Sequence, residues 1–365
     1  MKTKAMIFRE VKQPMVLEEL EIPALHEGEV LVRLLASGVC GSDVHIWKGE
    51  DPRAPRNMII GHEGVGEIVE MKGKKYSVDG EELHVGDHII WDRGHMCGKC
   101  YACKVLRQPA LCSDRKVYGL NQSLSDYPYI NGCYSEYLIL MDGMDIFKID
   151  ADMDPALMVT AACSGATVCH GFDLHRPKVG DTVVIVGCGP LGIYATLLAR
   201  LSGAGKIIVT GTTPRRLQFC QEVGADVVIN INEMPLKQRH ELILEMTHGR
   251  GADFCIESVG YPDALGEALD HAGMGATVLS YGFGQPMGTL NFDPHFQMAR
   301  KNLCIQGVWV SDTSHTHQAM TLVQNHPDIF RRMVTHRFPL SQANEAIAVM
   351  SSEEAIKAVL LPTQL

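Results

Sequence analysis

The chain has 365 residues, of which 46% are hydrophobic and 21% charged, a composition typical of a globular protein with room for two domains. Its 33 basic and 43 acidic residues give a net charge of −10, and no basic run could hold a phosphate backbone, which excludes nucleic acid and favours a small-molecule partner. No apolar run is long enough to cross a membrane and the N-terminus lacks a secretory apolar core, so we expect a cytoplasmic protein.

The first 90 residues have the pattern of an irregular β domain. Alternating apolar segments at 30–35 and 64–71 are separated by glycine-rich turns, and 85–90 reads as a further strand. The polar segment 72–83 between them predicts a hairpin or surface excursion. No helical period persists, so no helix is predicted in this region.

The segment 38–63 contains the components of a metal-centred proton relay. A catalytic zinc site needs about three protein ligands and one open position, and Cys40 and His62 supply two of them. The third should come from far along the chain, and Cys163 is the candidate. Each motif has an alternative interpretation when it is considered alone. Cys40 could be a small buried hydrophobic residue, and Gly-His-Glu (61–63) could be only a polar turn. The candidate residues of this site are Cys40, Ser42, His45, His62, Glu63 and Cys163.

A second metal site is predicted in a cysteine-rich loop. Cys97, Cys100 and Cys103 have C-x2-C-x2-C spacing, and Cys112 follows after eight residues. Four thiolates form a closed tetrahedral zinc site that orders a loop without a hydrophobic core, and no position is left for a substrate. The predicted role is therefore structural. The other six cysteines lie mostly in apolar runs and are predicted to be reduced core residues.

A dinucleotide site is predicted from residue 181 onward. An apolar strand leads into Gly187, Gly189 and Gly192, which fit G-x-G-x-x-G, and an apolar helix follows. These glycines allow a tight turn, close approach of the backbone to a pyrophosphate, and close helix packing. A bare strand-to-helix turn is the alternative interpretation.

The residues that follow the next predicted strand, 206–210, indicate which cofactor the chain prefers. NAD-selective chains usually have Asp or Glu here to bind the adenosine ribose, whereas this chain has Gly211 and no acidic residue from 187 to 221. The loop offers hydroxyl and guanidinium groups suited to a 2′-phosphate, so NADP is predicted. Alternatively, both arginines are solvated residues of a helix with Thr213 as N-cap. The candidate residues are Gly211, Thr212, Thr213, Arg215 and Arg216.

Strands and helices then alternate up to a strand predicted at 303–308. This βα rhythm is typical of a doubly wound parallel sheet of the Rossmann type, so the fold class is α/β. The predicted dinucleotide-binding domain is 163–309, and the predicted catalytic zinc site begins in the segment 1–162 before it.

The motifs Gly-Val-Cys-Gly-Ser-Asp-Val-His (38–45) and Gly-His-Glu-Gly-Val-Gly (61–66) resemble the zinc-dependent medium-chain alcohol dehydrogenases, especially their polyol and threonine dehydrogenase branch. The likeness covers nearly the whole chain. It implies a GroES-like catalytic zinc domain formed by 1–162 with 310–365, in which the C-terminal segment folds back onto the first. It also implies an active site between the domains and a homodimer or homotetramer. Two departures are visible. Cys163, 24 residues before Gly187, is typical of simple alcohol dehydrogenases, and the interval before Cys112 is one residue longer than usual.

The resemblance also implies a mechanism. Zinc held by Cys40, His62 and Cys163 would bind an alcohol oxygen and lower its pKa, with hydride passing to NADP. Ser42 would take the hydroxyl proton and pass it through the ribose hydroxyls to His45, while Glu63 would tune the metal from behind its ligands. The substrate would be a secondary or polyhydroxy alcohol. Two alternatives stay open: an NAD-dependent polyol or amino-alcohol dehydrogenase, and a catalytically silent dinucleotide-binding structural protein.

Overall fold

The computed structural model describes residues 1–363. Its strands are β1 Lys2–Phe8, β2 Val16–Glu21, β3 Val30–Val39, β4 Met58–Ile59, β5 Glu63–Met71, β6 His88–Trp91, β7 Gly94–His95, β8 Lys116–Val117, β9 Tyr137–Leu140, β10 Ile146–Lys148, β11 Thr182–Val186, β12 Lys206–Gly211, β13 Val227–Asn230, β14 Ala252–Glu257, β15 Ala272–Ser280, β16 Cys304–Gly307, β17 Val334–Pro339 and β18 Lys357–Leu361. Its α-helices are α1 Gly41–Lys48, α2 Pro155–Met158, α3 Ala166–Leu174, α4 Pro190–Leu201, α5 Pro214–Val223, α6 Leu236–Met246, α7 Pro262–His271, α8 Thr313–Asn325, α9 Pro327–Met333 and α10 Ala343–Ser351.

The chain divides into two compact units, residues 1–166 with 311–365 and residues 167–310. In the first unit, a sheet of order β10-β6-β5-β3-β18-β17 pairs β9 with β3, and a smaller sheet has the order β2-β1-β4. The long strands β3 and β5 are antiparallel and place Gly38 opposite Glu63. Their alternating apolar residues form buried cores on both sides of the sheet. The predicted irregular β domain is confirmed.

The prediction that no helix occurs in the first 90 residues is wrong. Helix α1 begins directly after Cys40, whose backbone N–H donates to the Asp43 carboxylate at 2.8 Å, and it ends at Gly49 in the left-handed conformation (φ 79°). Its eight residues make about two turns, which is too short for an apolar period to stand out in the sequence.

The second unit is the predicted doubly wound parallel sheet, which is confirmed. Its described strands are all parallel, in the order β13-β12-β11-β14-β15-β16. The central strand β11 is buried at every position, as expected for a sheet covered on both faces. The strand predicted at 303–308 is β16 at the edge of this sheet.

The helical segment before β11 consists of three pieces. Helix α2 leads into a π-helical turn, Ala161–Gly165, and α3 continues from it. Periodicity could not reveal the π turn, because a single wider turn shifts the apolar pattern by only one residue. This turn contains Cys163.

All twelve cysteines are free thiols. Five of the six predicted to lie in the core are buried, but Cys304 is exposed, because β16 lies at the edge of its sheet. Within residues 1–363, no helix combines the length and the apolar character that spanning a bilayer requires.

Candidate catalytic metal centre and cofactor site

The first unit brings together four side chains that the sequence separates widely. The ligand atoms of Cys40, His62, Glu63 and Cys163 all lie within 4.8 Å of one another. Cys40 directly follows β3, and His62 and Glu63 lie where the antiparallel β5 begins. Cys163 approaches from the π turn. Strand pairing thus fixes three of the donors, and the wider turn adds the fourth.

This donor set fits zinc. Two thiolates and an imidazole are ligands that Zn²⁺ prefers, and three of them leave one position for a substrate. His62 Nε2 and Glu63 Oε1 are buried and have no hydrogen-bond partner among the described residues. Since buried polar atoms are rarely without a partner, such atoms are expected where a metal ion binds. The residues therefore fit the metal.

The two thiols of the cluster differ in acidity. Their sulfur atoms are 3.8 Å apart. The hydrogen bond from Cys40, together with the nearby Arg93 guanidinium, outweighs burial and lowers the pKa of Cys163 to about 7. The same hydrogen bond and burial raise the pKa of Cys40. Arg93 thus favours the thiolate form of Cys163, which is the form that binds a metal.

His62 is oriented by Asp43, a residue that sequence reasoning missed. Its Nδ1 lies 3.4 Å from Asp43 Oδ1, and both side chains are fully buried. Burial lowers the pKa of His62, but Asp43 and Cys40 outweigh it and raise the pKa to about 9. A carboxylate behind a ligating imidazole fixes the ring and leaves Nε2 for the metal. Asp43 also accepts the backbone N–H of Cys40 at the start of α1, so one side chain supports both the helix and the ligand.

Glu63 forms a buried ion pair with Lys357, which the sequence also did not reveal. The lysine ammonium group donates to Glu63 Oε2, and the side chains are 1% and 0% exposed. Burial lowers the pKa of Lys357, but Glu63 and the two thiolates raise it above its ordinary value. The pair places the ammonium group of Lys357 beside the carboxylate, behind the metal ligands.

Arg93 is the third residue that sequence reasoning missed. It lies between β6 and β7, is 5% exposed, and its Nη1 donates to Cys163 Sγ. Isolated arginines give no sequence signal. Here, however, Arg93 stands four residues before Cys97, between the two predicted metal sites, and that position could have drawn attention to it.

The predicted relay residues Ser42 and His45 lie three residues apart on α1 and therefore share one face of the helix. Ser42 Oγ is 3.8 Å from Cys40 Sγ. His45 Nδ1 is 2.6 Å from Glu50 Oε2, a partner that the sequence did not indicate. The helix thus places a hydroxyl beside the metal cluster and a carboxylate-bound imidazole one turn further along.

The four predicted lobe cysteines also come together. The sulfur atoms of Cys97, Cys100, Cys103 and Cys112 lie within 4.8 Å of one another, in the geometry of a closed site. The long interval before Cys112 contains a π-helical turn, Ala102–Leu106, which holds one residue more per turn than an α-helix. Backbone N–H groups of Cys103 and Ser113 lower the pKa of Cys100 to about 6, which favours the thiolate that zinc binds.

We expect each of the two cysteine-containing clusters to bind one zinc ion, so Cys100→Ser should lower the zinc content by about one ion per chain. Without the metal, the lobe has little core of its own, so protease cleavage within 97–112 should increase at least about tenfold. Zinc content and limited proteolysis measure both effects, with Cys304→Ser, an exposed thiol, as the control. Loss of an ion with unchanged protease resistance would contradict a structural role.

In the second unit, the predicted glycine turn joins β11 to α4. Gly187 has φ +113°, a left-handed conformation that side chains rarely adopt, and Gly189 begins the helix with open space within 4 Å of the position of a Cβ. A Cβ on Gly192 would lie 2.0 Å from the Gly187 carbonyl oxygen. The turn formed by these three glycines therefore has room for a pyrophosphate at the N-terminus of α4.

The loop after β12 holds the other predicted cofactor residues. Gly211 ends the strand, and a Cβ at this position would lie 2.3 Å from Cys188 Sγ. The close approach of Cys188 therefore explains in part why residue 211 is a glycine. Thr213 precedes α5 as its N-cap. Arg215 is exposed and Arg216 buried, so the interpretation of both as solvated residues is wrong for Arg216. Thr212 accepts a hydrogen bond from Asn232 through its carbonyl oxygen, at 3.3 Å.

Comparisons with known proteins agree with this architecture. The family model of the alcohol dehydrogenase GroES-like domain matches residues 26–151, and that of zinc-binding dehydrogenases matches 190–325. A 5-exo-hydroxycamphor dehydrogenase from Pseudomonas putida is 30% identical over 94% of this chain and 95% of its own. The crystal structure of an alcohol dehydrogenase from Thermotoga maritima is similar with a TM-score of 0.94 and 41% identity, covering 99% of both chains.

A second solved structure is described as a putative zinc-binding dehydrogenase from Sinorhizobium meliloti bound to NADP. It has a TM-score of 0.85 and 25% identity to this chain, and the similarity covers 99% of this chain and 100% of the other. Both family models, the full-length relative and the two structures agree on one assignment. The chain belongs to the zinc-dependent medium-chain alcohol dehydrogenase family.

Proposed function

We propose that this protein transfers a hydride between a secondary or polyhydroxy alcohol and NADP, with zinc at the cluster of Cys40, His62 and Cys163. The observation that carries the proposal is the convergence of these side chains and Glu63 within 4.8 Å. A bound zinc ion would supply Lewis acidity that lowers the pKa of an alcohol hydroxyl. The nicotinamide would accept the hydride, and one proton would leave the alcohol.

The residues around the cluster have distinct proposed roles. Ser42 takes the hydroxyl proton, because its Oγ lies beside Cys40 on the first turn of α1. His45 receives that proton further along the same helix face, and Glu50 holds its Nδ1–H so that Nε2 is the nitrogen that exchanges protons. Glu63 accepts a hydrogen bond from Lys357 and tunes the metal ligands.

We propose NADP as the preferred cofactor. In support, no carboxylate occurs from 187 to 221 to bind the adenosine ribose, and Arg215 presents an exposed guanidinium on the first turn of α5. A carboxylate would repel a 2′-phosphate, whereas a guanidinium binds it through charge-assisted hydrogen bonds. The NADP bound by the S. meliloti protein is consistent with this choice.

Arg215→Gln tests the role of this guanidinium. A hydrogen bond to a charged group contributes about 1.5–3 kcal/mol, so we expect kcat/KM for NADP to fall roughly 10- to 100-fold while the value for NAD changes little. The matched control is Arg176→Gln, since Arg176 is also an exposed arginine of this unit. Equal losses with both cofactors would contradict the proposal.

An NAD-dependent polyol or amino-alcohol dehydrogenase is the second candidate, and one observation favours it. Because Cys188 already occupies the space beside Gly211, the glycine at this position does not by itself indicate room for a phosphate. In that case the ribose would be bound by other groups, such as Thr212 and Thr213. The two candidates differ in cofactor preference and in the best substrate.

Initial rates of cofactor reduction decide between them. The panel contains primary, secondary and polyhydroxy alcohols and L-threonine, each with NAD and with NADP. We expect oxidation of secondary or polyhydroxy alcohols with at least tenfold preference for NADP. Preference for NAD would favour the second candidate, and no turnover with either cofactor would contradict both.

Assembly and compartment are also proposals. We propose a homodimer or homotetramer, which light scattering coupled to gel filtration measures. We propose the cytoplasm as the compartment, because the free thiols of both clusters must stay reduced to bind zinc.

A further inference from the structure

Arg93 is a buried cation without a carboxylate partner. Its guanidinium contacts Cys163 Sγ through Nη1, while its Nε–H is buried and has no acceptor. Among residues 1–363, no carboxylate forms an ion pair with it. The adjacent Asp92 is engaged elsewhere, since it accepts from the Gly94 N–H at 2.9 Å and lies 3.7 Å from Arg115.

Two other buried cations of this region each have a carboxylate within 4 Å. Lys357 is paired with Glu63, and Arg115 with Asp92. Arg93 has no carboxylate within ion-pair distance among the described residues, so that besides the adjacent Asp92 only the Cys163 and Cys40 thiolates offset its charge. A thiolate that ligates zinc shares its charge with the metal. A buried cation left in this state is unfavourable unless an anion joins it. The protein would therefore gain from an anionic group beside the metal ligands.

We infer that Arg93 is the subsite for a substrate carboxylate, so that the alcohol oxidised is a hydroxy acid. This inference rests on the proposed function. Because Arg93 contacts a candidate metal ligand, a substrate held at the metal lies near the guanidinium. The planar donor fork of arginine matches the two oxygens of a carboxylate and discriminates against a neutral group. Arg93 then determines specificity, while Ser42 and His45 move the proton.

A purely electronic role for Arg93 makes a different prediction. If the guanidinium only reduced the donor strength of Cys163, its replacement would change the binding of acids and neutral compounds equally. A carboxylate subsite instead changes the ratio between them. The test therefore compares two ligands of nearly the same shape, 3-hydroxybutyrate and 3-hydroxybutyramide, of which only the first carries a negative charge.

Calorimetry on the zinc-loaded protein without cofactor measures the affinity for each ligand, so no turnover is needed. We expect the ratio of acid to amide affinity to fall about 10- to 100-fold in Arg93→Gln and to recover in part in Arg93→Lys. Arg331→Gln, which removes an exposed arginine, is the control and should leave the ratio unchanged. Zinc content and circular dichroism verify that each variant is folded and loaded.

Three results would contradict the inference: no measurable binding of the acid, equal affinity for acid and amide in the unaltered protein, or an unchanged ratio in Arg93→Gln. The same pair is then assayed for turnover. Oxidation of neutral alcohols without preference for the acid would overturn the subsite and leave the proposed function intact. A charge-dependent affinity without oxidation of any alcohol would overturn the proposed function and leave the subsite intact.

Discussion

Cys40→Ala should reduce kcat by at least about a thousandfold and leave the protein folded. The metal centre contributes several kcal/mol of transition-state stabilisation, and each 1.4 kcal/mol corresponds to a factor of ten in rate. Cys40 is one of only two thiols in the cluster, and its replacement leaves Cys163 and His62 as the remaining proposed ligands. Zinc content should fall by about one ion per chain, and steady-state rates with the best alcohol of the panel measure the loss.

The control for this variant is Cys304→Ala, which removes an exposed thiol far from either cluster in sequence. It should retain both metal ions and full turnover. The lobe variant Cys100→Ser separates the two sites further, because it should lose the other ion. Full turnover of Cys40→Ala with a reduced metal content would rule out a catalytic role for this cluster.

The sequence was informative where a function depends on residues close together in the chain. The glycine turn, the four lobe cysteines and the Gly-His-Glu motif have fixed short spacings, because one loop or one strand end must supply several groups at once. The parallel sheet was predictable for a similar reason, since buried strands such as β11 require uninterrupted apolar runs. These features account for most of the predicted fold and for both metal clusters.

The supporting residues of the centre could not be predicted in this way. Lys357 lies 294 residues from Glu63, and the two meet only because β18 pairs with β3, which in turn pairs with β5. Arg93 reaches Cys163 across 70 residues. Such pairs depend on the tertiary fold and leave no local pattern. The π turns were missed for another reason, since one extra residue per turn changes the apolar period too little to detect.

Lys357→Met should destabilise the protein by about 3–5 kcal/mol. Removing one partner of a buried ion pair leaves the other charge without compensation in a low-dielectric environment, and Glu63 is fully buried. Methionine keeps a similar volume, so the loss should come from charge and not from a cavity. The free energy of unfolding of the zinc-loaded protein in urea measures the effect.

The double variant Glu63→Gln with Lys357→Met decides whether the charge is the cause. If Glu63 is left unpaired in the single variant, neutralising it should recover at least about half of the lost stability. Lys148→Met provides a matched control, because Lys148 pairs with Asp87 at 2.8 Å but is 37% exposed, and a surface pair contributes only about 0–1 kcal/mol. A Lys357→Met variant as stable as the Lys148→Met variant would show that the Glu63 carboxylate is compensated by the metal centre itself. Glu63 would then belong to the ligand set, and Lys357 would be dispensable for holding its charge.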